Sequence, residues 1–200
     1  MNAAPAPHDV RKHILDVAYP LMLRKGFTGV GLAEVLSSAQ VPKGSFYHYF
    51  GSKEAFGEAV LEAYFSDYLR HVEALMAQPG SGAQRLLAYF DDWREAQTGS
   101  DPDGRCLVVK LGAEVCDLSE SMRAALERGT GAVIARLAQC IERGRGDGSL
   151  AAAPDPLTAA QTLYQTWIGA SLLAKIQRSS ASMDRAMSTT RLLLGLPAQD

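Results

Sequence analysis

Val41-Pro42-Lys43-Gly44-Ser45-Phe46-Tyr47-His48-Tyr49-Phe50-Gly51-Ser52-Lys53-Glu54 gathers Lys43, Ser45, Tyr47, His48, Tyr49 and Lys53 into about three helical turns. Side chains of these types bond phosphate oxygens and base edges. Phe46 and Phe50 lie four apart and share the inner face of a short helix, which leaves Lys43, Gly44, Ser45, Tyr47, His48 and Tyr49 for the outside. A short amphipathic segment with Leu32, Val35 and Leu36 comes just before, across a tight turn. One helix to brace the backbone and a second to enter the major groove is the helix-turn-helix plan. Lys43 and Ser45 suit phosphate contact at a helix start, where free N–H groups add to the attraction. Tyr47 and His48 can bond phosphate or touch a thymine methyl, and Lys53, at the start of the next helix, suits phosphate.

The charge distribution agrees. Residues 1–53 hold Arg11, Lys12, Arg24, Lys25, Lys43 and Lys53 against Asp9, Asp16 and Glu34, a balance of +3 within a chain of net −2. The remainder is therefore at −5. A basic head on an acidic body is the footprint expected of a modular DNA binder. At 200 residues, 47% hydrophobic and 21% charged, the composition is that of a globular protein with a sizeable core. The N-terminus has no basic and apolar leader pattern, and no apolar run approaches the ~20 residues of a membrane helix. Together with an odd count of three cysteines, this predicts a cytoplasmic protein without a disulfide framework.

Helical periodicity dominates the whole chain, and the expected fold is all-α with about nine helices. Ile14, Leu15, Ala18, Leu21 and Met22 form the first stripe, with Pro20 inside it and Gly26 as its stop. Ser52 can cap a long fourth helix to about Ala77, roughly 37 Å at 1.5 Å per residue. Pro79-Gly80-Ser81-Gly82 breaks the chain, and further helices are predicted over about 83–97, 106–116 and 119–143. Asp155 followed by Pro156 is a cap with proline at the first helical position, opening a helix to about Ser179. A last helix covers Met183–Leu194. Loops are expected at 98–104 and 145–153. The domain reading is a head over 1–54, with a fourth helix from about 52 leading out of it, and a regulatory and dimerisation domain over 55–200.

Gly26-Phe27, Ala39, Val41, Lys43-Gly44-Ser45, Tyr47-His48, Phe50 and Lys53-Glu54 resemble the head motif of the TetR family of bacterial one-component repressors. The resemblance implies a three-helix DNA-binding head, an all-helical ligand-sensing body and a homodimer formed through the last two helices. The sequence departs from the family at Val30-Gly31, where many members carry phosphate-touching hydroxyls. It departs again at Gln40 and Pro42, in place of the usual turn glycine and capping serine. In the body, 106–111, 113–120, Trp167-Ile168-Gly169-Ala170 and Ala174-Lys175-Ile176 resemble the electrophile- and oxidant-sensing branch that represses N-ethylmaleimide reductase. That likeness implies a reactive cysteine and control of genes for electrophile-reducing enzymes.

Of the three cysteines, Cys106 follows Gly104-Arg105 at a helix start, with Lys110 four residues on, an environment that favours thiolate. Cys116 has Glu114 and Asp117 beside it, which disfavours thiolate, and Cys140 reads as core or interface. Ten residues of helix hold Cys106 and Cys116 about 15 Å apart, so they cannot bond to each other. Lys175 falls on or beside an apolar stripe with Tyr164, Ile168 and Leu172; it either snorkels from the edge or points inward as a partly desolvated amine. The branch resemblance pairs it with Cys106 as sensor. Phe90, Trp93, Tyr164 and Trp167 are core residues or the lining of a pocket between helices.

No CxxC, phosphate loop, dinucleotide fingerprint or Ser-His-Asp arrangement is present, and the four histidines all precede the cysteines. No metal, cofactor or enzymatic activity is expected. The reading is a homodimeric repressor of double-stranded operator DNA, released when an electrophilic or oxidising small molecule modifies Cys106. The alternatives are release by a reversibly bound apolar ligand, an enzyme with a cysteine nucleophile (which lacks a paired histidine base) and an architectural DNA binder, which needs no such body.

Overall fold

The computed structural model describes residues 7–99, 106–150 and 154–198. Among them are nine helices and no strand: α1 (Pro7–Lys25), α2 (Leu32–Ala39), α3 (Lys43–Phe50), α4 (Lys53–Met76), α5 (Gly82–Thr98), α6 (Leu107–Leu118), α7 (Glu120–Gly146), α8 (Pro156–Gln177) and α9 (Ala181–Leu193). No helix among them is long and apolar enough to cross a membrane.

Local chemistry sets the helix ends. Gly26 stops α1 in the left-handed region, φ +82°, with its N–H on the Met22 carbonyl at 2.9 Å. Upstream, α1 runs on through Pro20, whose missing N–H deprives the Asp16 carbonyl of its helical donor. Ser52 caps α4 by accepting from the Ala55 N–H at 3.1 Å. Ser81 and Gln84 form a reciprocal capping box at the start of α5, which therefore begins one residue earlier than periodicity suggests. Asp155 caps α8 by accepting from the Thr158 N–H at 3.0 Å. Helix α7 continues to Gly146, three residues past its expected end, and α8 stops at Gln177 as Arg178 turns left-handed at φ +51°. The expected loop at 98–104 lies largely outside the described residues; of the one expected at 145–153, Arg145 and Gly146 still belong to α7, Asp147–Leu150 form a turn and bend, and 151–153 lie outside.

The chain packs as two compact units. The first holds the residues up to Asp67 together with Lys110–Gly129; the second holds Tyr68–Val109 and the residues from Thr130 on. The first unit thus takes in α1–α3, the first half of α4 and parts of α6 and α7. Its buried side chains include Ile14, Ala18 and Met22 of α1, Val35 of α2, Phe46 and Phe50 of α3 and Phe56 and Val60 of α4. Phe46, Phe50 and Phe56 pack ring to ring with centroids 4.9–5.2 Å apart. His13 Nε2 meets the Ala39 carbonyl at 3.0 Å, tying α1 to the end of α2.

The second unit buries Leu86, Phe90 and Trp93 of α5, Val133 and Leu137 of α7, Leu163 and Trp167 of α8 and Met183 of α9 in one core. Its buried tryptophan, serine and threonine side chains are bonded. Trp93 Nε1 donates to Ser171 Oγ at 3.0 Å, Ser171 Oγ to the Trp167 carbonyl at 2.7 Å, and Trp167 Nε1 to Thr190 Oγ1 at 2.9 Å. Large apolar side chains remain outside this core on α8 and α9: Leu157, Leu172, Leu173, Ile176 (67% exposed) and Leu192 (81% exposed).

Candidate functional site

The turn between α2 and α3 occupies Gln40–Pro42. Gln40 adopts φ +56°, the conformation a glycine takes freely, and its N–H and that of Val41 close onto Ser37 and Leu36 carbonyls at 3.2 and 3.1 Å. The turn keeps its geometry without the glycine, at the modest steric cost of a left-handed non-glycine residue. Pro42 precedes α3 at φ −63° and brings no capping side chain, so none occupies the first N–H groups of α3.

Along α3, Phe46 and Phe50 face inward. Lys43, Gly44, Tyr47 and His48 are exposed, Tyr47 at 52%, while Ser45 and Tyr49 are half-buried. The Tyr47 ring packs edge-on against Phe46 at 5.4 Å and His48 against Tyr49 at 4.9 Å, which limits the directions these side chains can take. Lys53 is half-buried with Nζ 4.9 Å above the Phe27 ring, and Arg11 lies 5.3 Å over Phe50. The outer face of α3 therefore presents cationic, hydroxyl and imidazole groups together, a surface suited to a groove lined with phosphate.

The cysteines occupy three different environments. Cys140 is buried, its Sγ 3.7 Å from the Gly82 carbonyl, and burial pushes its thiol up to about 11. Cys116 is exposed. Cys106 is half-buried and immediately precedes α6. Its charge would be felt by three tyrosines of the second unit. Burial, and then the charge that Cys106 would carry as a thiolate, push the Tyr68 and Tyr164 hydroxyls up; burial and the neighbouring tyrosines do the same for Tyr89, with Cys106 adding to them. The Tyr68 and Tyr89 hydroxyls are 2.9 Å apart. Protonated phenols are hydrogen-bond donors.

Lys175 is exposed and lines a cavity of ≈ 580 Å³ with Gln97, Ser171 and Arg178. Ser171, on the same wall, holds the Trp93 indole N–H, and the Trp93 ring packs on Tyr164 at 5.5 Å. Ser171 thus joins the wall of this cavity to the Trp93–Tyr164 ring pair. Phe90 and Trp167 stack at 4.8 Å and Trp93 lies 5.8 Å from Trp167. These four rings fill their own space as buried core.

Glu114 carries no local sequence signal of function, yet it makes long-range bonds to the head. Its Oε2 accepts from the Phe27 N–H at 3.0 Å, and its Oε1 from the Thr28 N–H at 2.7 Å and from the Thr28 hydroxyl. Burial alone would raise this carboxyl; the Thr28 and Phe27 bonds, with Lys110 nearby, outweigh it and hold the group below its ordinary range.

A helix-turn-helix on an otherwise all-helical chain defines a DNA-binding regulator. Residues 14–60 match the model for bacterial regulatory proteins of the tetR family, and residues 82–190 match the tetracyclin repressor-like C-terminal domain. The chain belongs to the TetR family of DNA-binding transcriptional repressors, which bind operator DNA as dimers. It is similar to the HTH-type transcriptional repressor NemR of Escherichia coli K12, 46% identical over 96% of each chain. It is also similar to the transcriptional regulator AcuR of Cereibacter sphaeroides, 36% identical over 88% of this chain and 81% of that one. The crystal structure of reduced E. coli NemR superposes with a TM-score of 0.90 at 44% identity, covering 96% of this chain and all of the other.

Proposed function

We propose that this protein is a homodimeric repressor that leaves its operator when an electrophile or oxidant modifies Cys106. The contrast among the three cysteines carries the proposal. Only Cys106 stands at the start of a helix, whose N–H groups favour an anion; Cys140 is buried with its thiol raised, and Cys116 is exposed late in α6. An activated alkene adds at the thiolate sulfur, and its carbanion takes a proton from solvent. The adduct increases the volume of a packed site, which answers by a discrete shift rather than a smooth deformation. About 3 kcal/mol of differential stability would change operator affinity by on the order of a hundredfold.

DNA contact is assigned to Lys43, Gly44, Ser45, Tyr47, His48 and Tyr49 on α3, with Lys53 on phosphate. Two recognition helices about 34 Å apart, or farther in a wide dimer, would read a pseudo-palindromic operator. The exposed Leu157, Leu172, Leu173, Ile176 and Leu192 support pairing through α8 and α9.

Oxidants offer a second route. A hypohalous acid transfers its halogen to the Cys106 thiolate as its oxygen–halogen bond breaks, giving a sulfenyl halide and hydroxide. The neutral Lys175 amine attacks that sulfur, halide leaves, and the nitrogen loses a proton to form a sulfur–nitrogen bond that thiols reduce. A reversibly bound apolar inducer remains the alternative, and it would have to part the stacked Phe90, Trp93, Tyr164 and Trp167.

Peptide mass mapping run beside gel shifts tests the proposal. With limiting N-ethylmaleimide, the Cys106 adduct should appear first and in step with loss of the shifted band. Oxidised protein should yield a Cys106–Lys175 cross-linked peptide. Release without a Cys106 adduct would overturn the assignment.

A further inference from the structure

We infer that Glu114 is a positioning residue for operator binding: from α6 its carboxylate fixes the corner between α1 and α2, and through α2 the recognition helix. The corner is the only covalent link from α1 into the α2–turn–α3 unit, so its orientation sets the direction in which α3 leaves. It begins at Gly26, just past the last turn of α1, where backbone N–H groups no longer continue the helical ladder. Two of these, on Phe27 and Thr28, point into one carboxylate, and the Thr28 hydroxyl joins them. Three donors on two oxygens admit one orientation of the corner.

Gly26 makes the approach possible. A Cβ there would lie 2.8 Å from Glu114 Oε2, and the position also needs φ +82°. Lys110, one turn before Glu114 on α6, stabilises the carboxylate charge. On its other side Phe27 carries the Lys53 ammonium over its ring. The corner is thus gripped by α6 through its backbone and by the start of α4 through its side chain.

This grip serves geometry more than stability. Thr28 is exposed and Glu114 only half-buried, so water can replace the lost partners, and exposed charge-assisted bonds of this kind add little to folding. Water cannot replace the fixed direction.

The test uses fully reduced protein without inducer, so its result does not depend on whether Cys106 is the trigger. The probe is a duplex enriched from a random pool by the reduced wild-type protein. Glu114→Gln retains one acceptor oxygen and Glu114→Ala retains none, so operator affinity should fall in that order, by about tenfold for Glu114→Ala. The amides of Phe27 and Thr28 should lose hydrogen-exchange protection, while the thermal midpoint and the salt slope stay near wild type because no phosphate contact is removed. Thr28→Ala should weaken binding less, and adding it to Glu114→Ala should cost nothing more. Unchanged affinity with exposed Phe27 and Thr28 amides would overturn the inference. So would a loss of affinity that merely tracks a lowered thermal midpoint, which would mark Glu114 as a residue of the fold.

Discussion

Gly82 and Gly144 meet backbone to backbone: a Cβ on Gly82 would lie 2.3 Å from the Gly144 Cα and 2.5 Å from its nitrogen. Side chains knit the same junction of α5 and α7, with the Gly82 N–H on Asp147 Oδ2 at 2.8 Å and the Ala83 N–H on Ser149 Oγ at 3.1 Å. Backbone cannot move aside as a side chain can. Gly82→Ala should therefore cost ~1–3 kcal/mol, read as a thermal midpoint lowered by ~2–4 °C per kcal/mol. An unchanged midpoint in scanning fluorimetry would mean the two helices separate without cost.

The face of α3 can be tested through salt dependence. Lys43→Ala should weaken binding to all duplexes alike and flatten the salt slope by about 1. Tyr47→Ala should weaken operator binding, with the change in sequence preference telling base contact from phosphate contact. Fluorescence anisotropy across a salt series measures both. Unaltered affinity in both variants would remove α3 from the interface.

The exposed apolar residues of α8 and α9 should pair across a dimer. Leu173→Glu with Ile176→Glu changes residues that lie outside the protomer's core, so folding should persist while association fails. Sedimentation at micromolar concentration should show dimer for wild type and monomer for the variant, with operator affinity lost alongside. A wild-type monomer would contradict the pairing.

Glu114 predicts an acid-sensitive contribution to stability. Its carboxyl is held below the ordinary 4.5 in the folded protein. A lowered folded value means that the stabilisation is present above the unfolded value and is lost as pH falls through the folded one. Because the group is only half-buried the contribution is small: denaturant unfolding of wild type and Glu114→Gln should differ slightly at neutral pH, too little to displace the thermal midpoint, and should converge as pH falls from about 4.5 through the lower folded value. A difference independent of pH would place the effect in packing instead.

The helices were legible in the sequence because their signals are local. Gly26, Ser52 and the Asp155-Pro156 pair act within a turn or two of where they stand, and the inward Phe46 and Phe50 follow from spacing alone. Ser81 with Gln84 carries the capping-box pattern and would have placed the start of α5 correctly. What escaped was non-local. Glu114 reaches residues 86 and 87 positions away, which no periodicity encodes. Gln40 shows the converse: the absent glycine hid a turn geometry that the backbone adopts regardless. The environment of Cys106 was half legible, since its helix start is local but Tyr68, Tyr89 and Tyr164 come from three other helices.

The central claim is that chemistry at Cys106 governs release. Operator binding of Cys106→Ser, compared with wild type before and after N-ethylmaleimide, tests it most directly. The variant should bind as tightly as wild type when untreated and should stay bound after treatment that frees the wild type. A Cys106→Ser protein released as readily as wild type would contradict the account and point to a reversibly bound ligand.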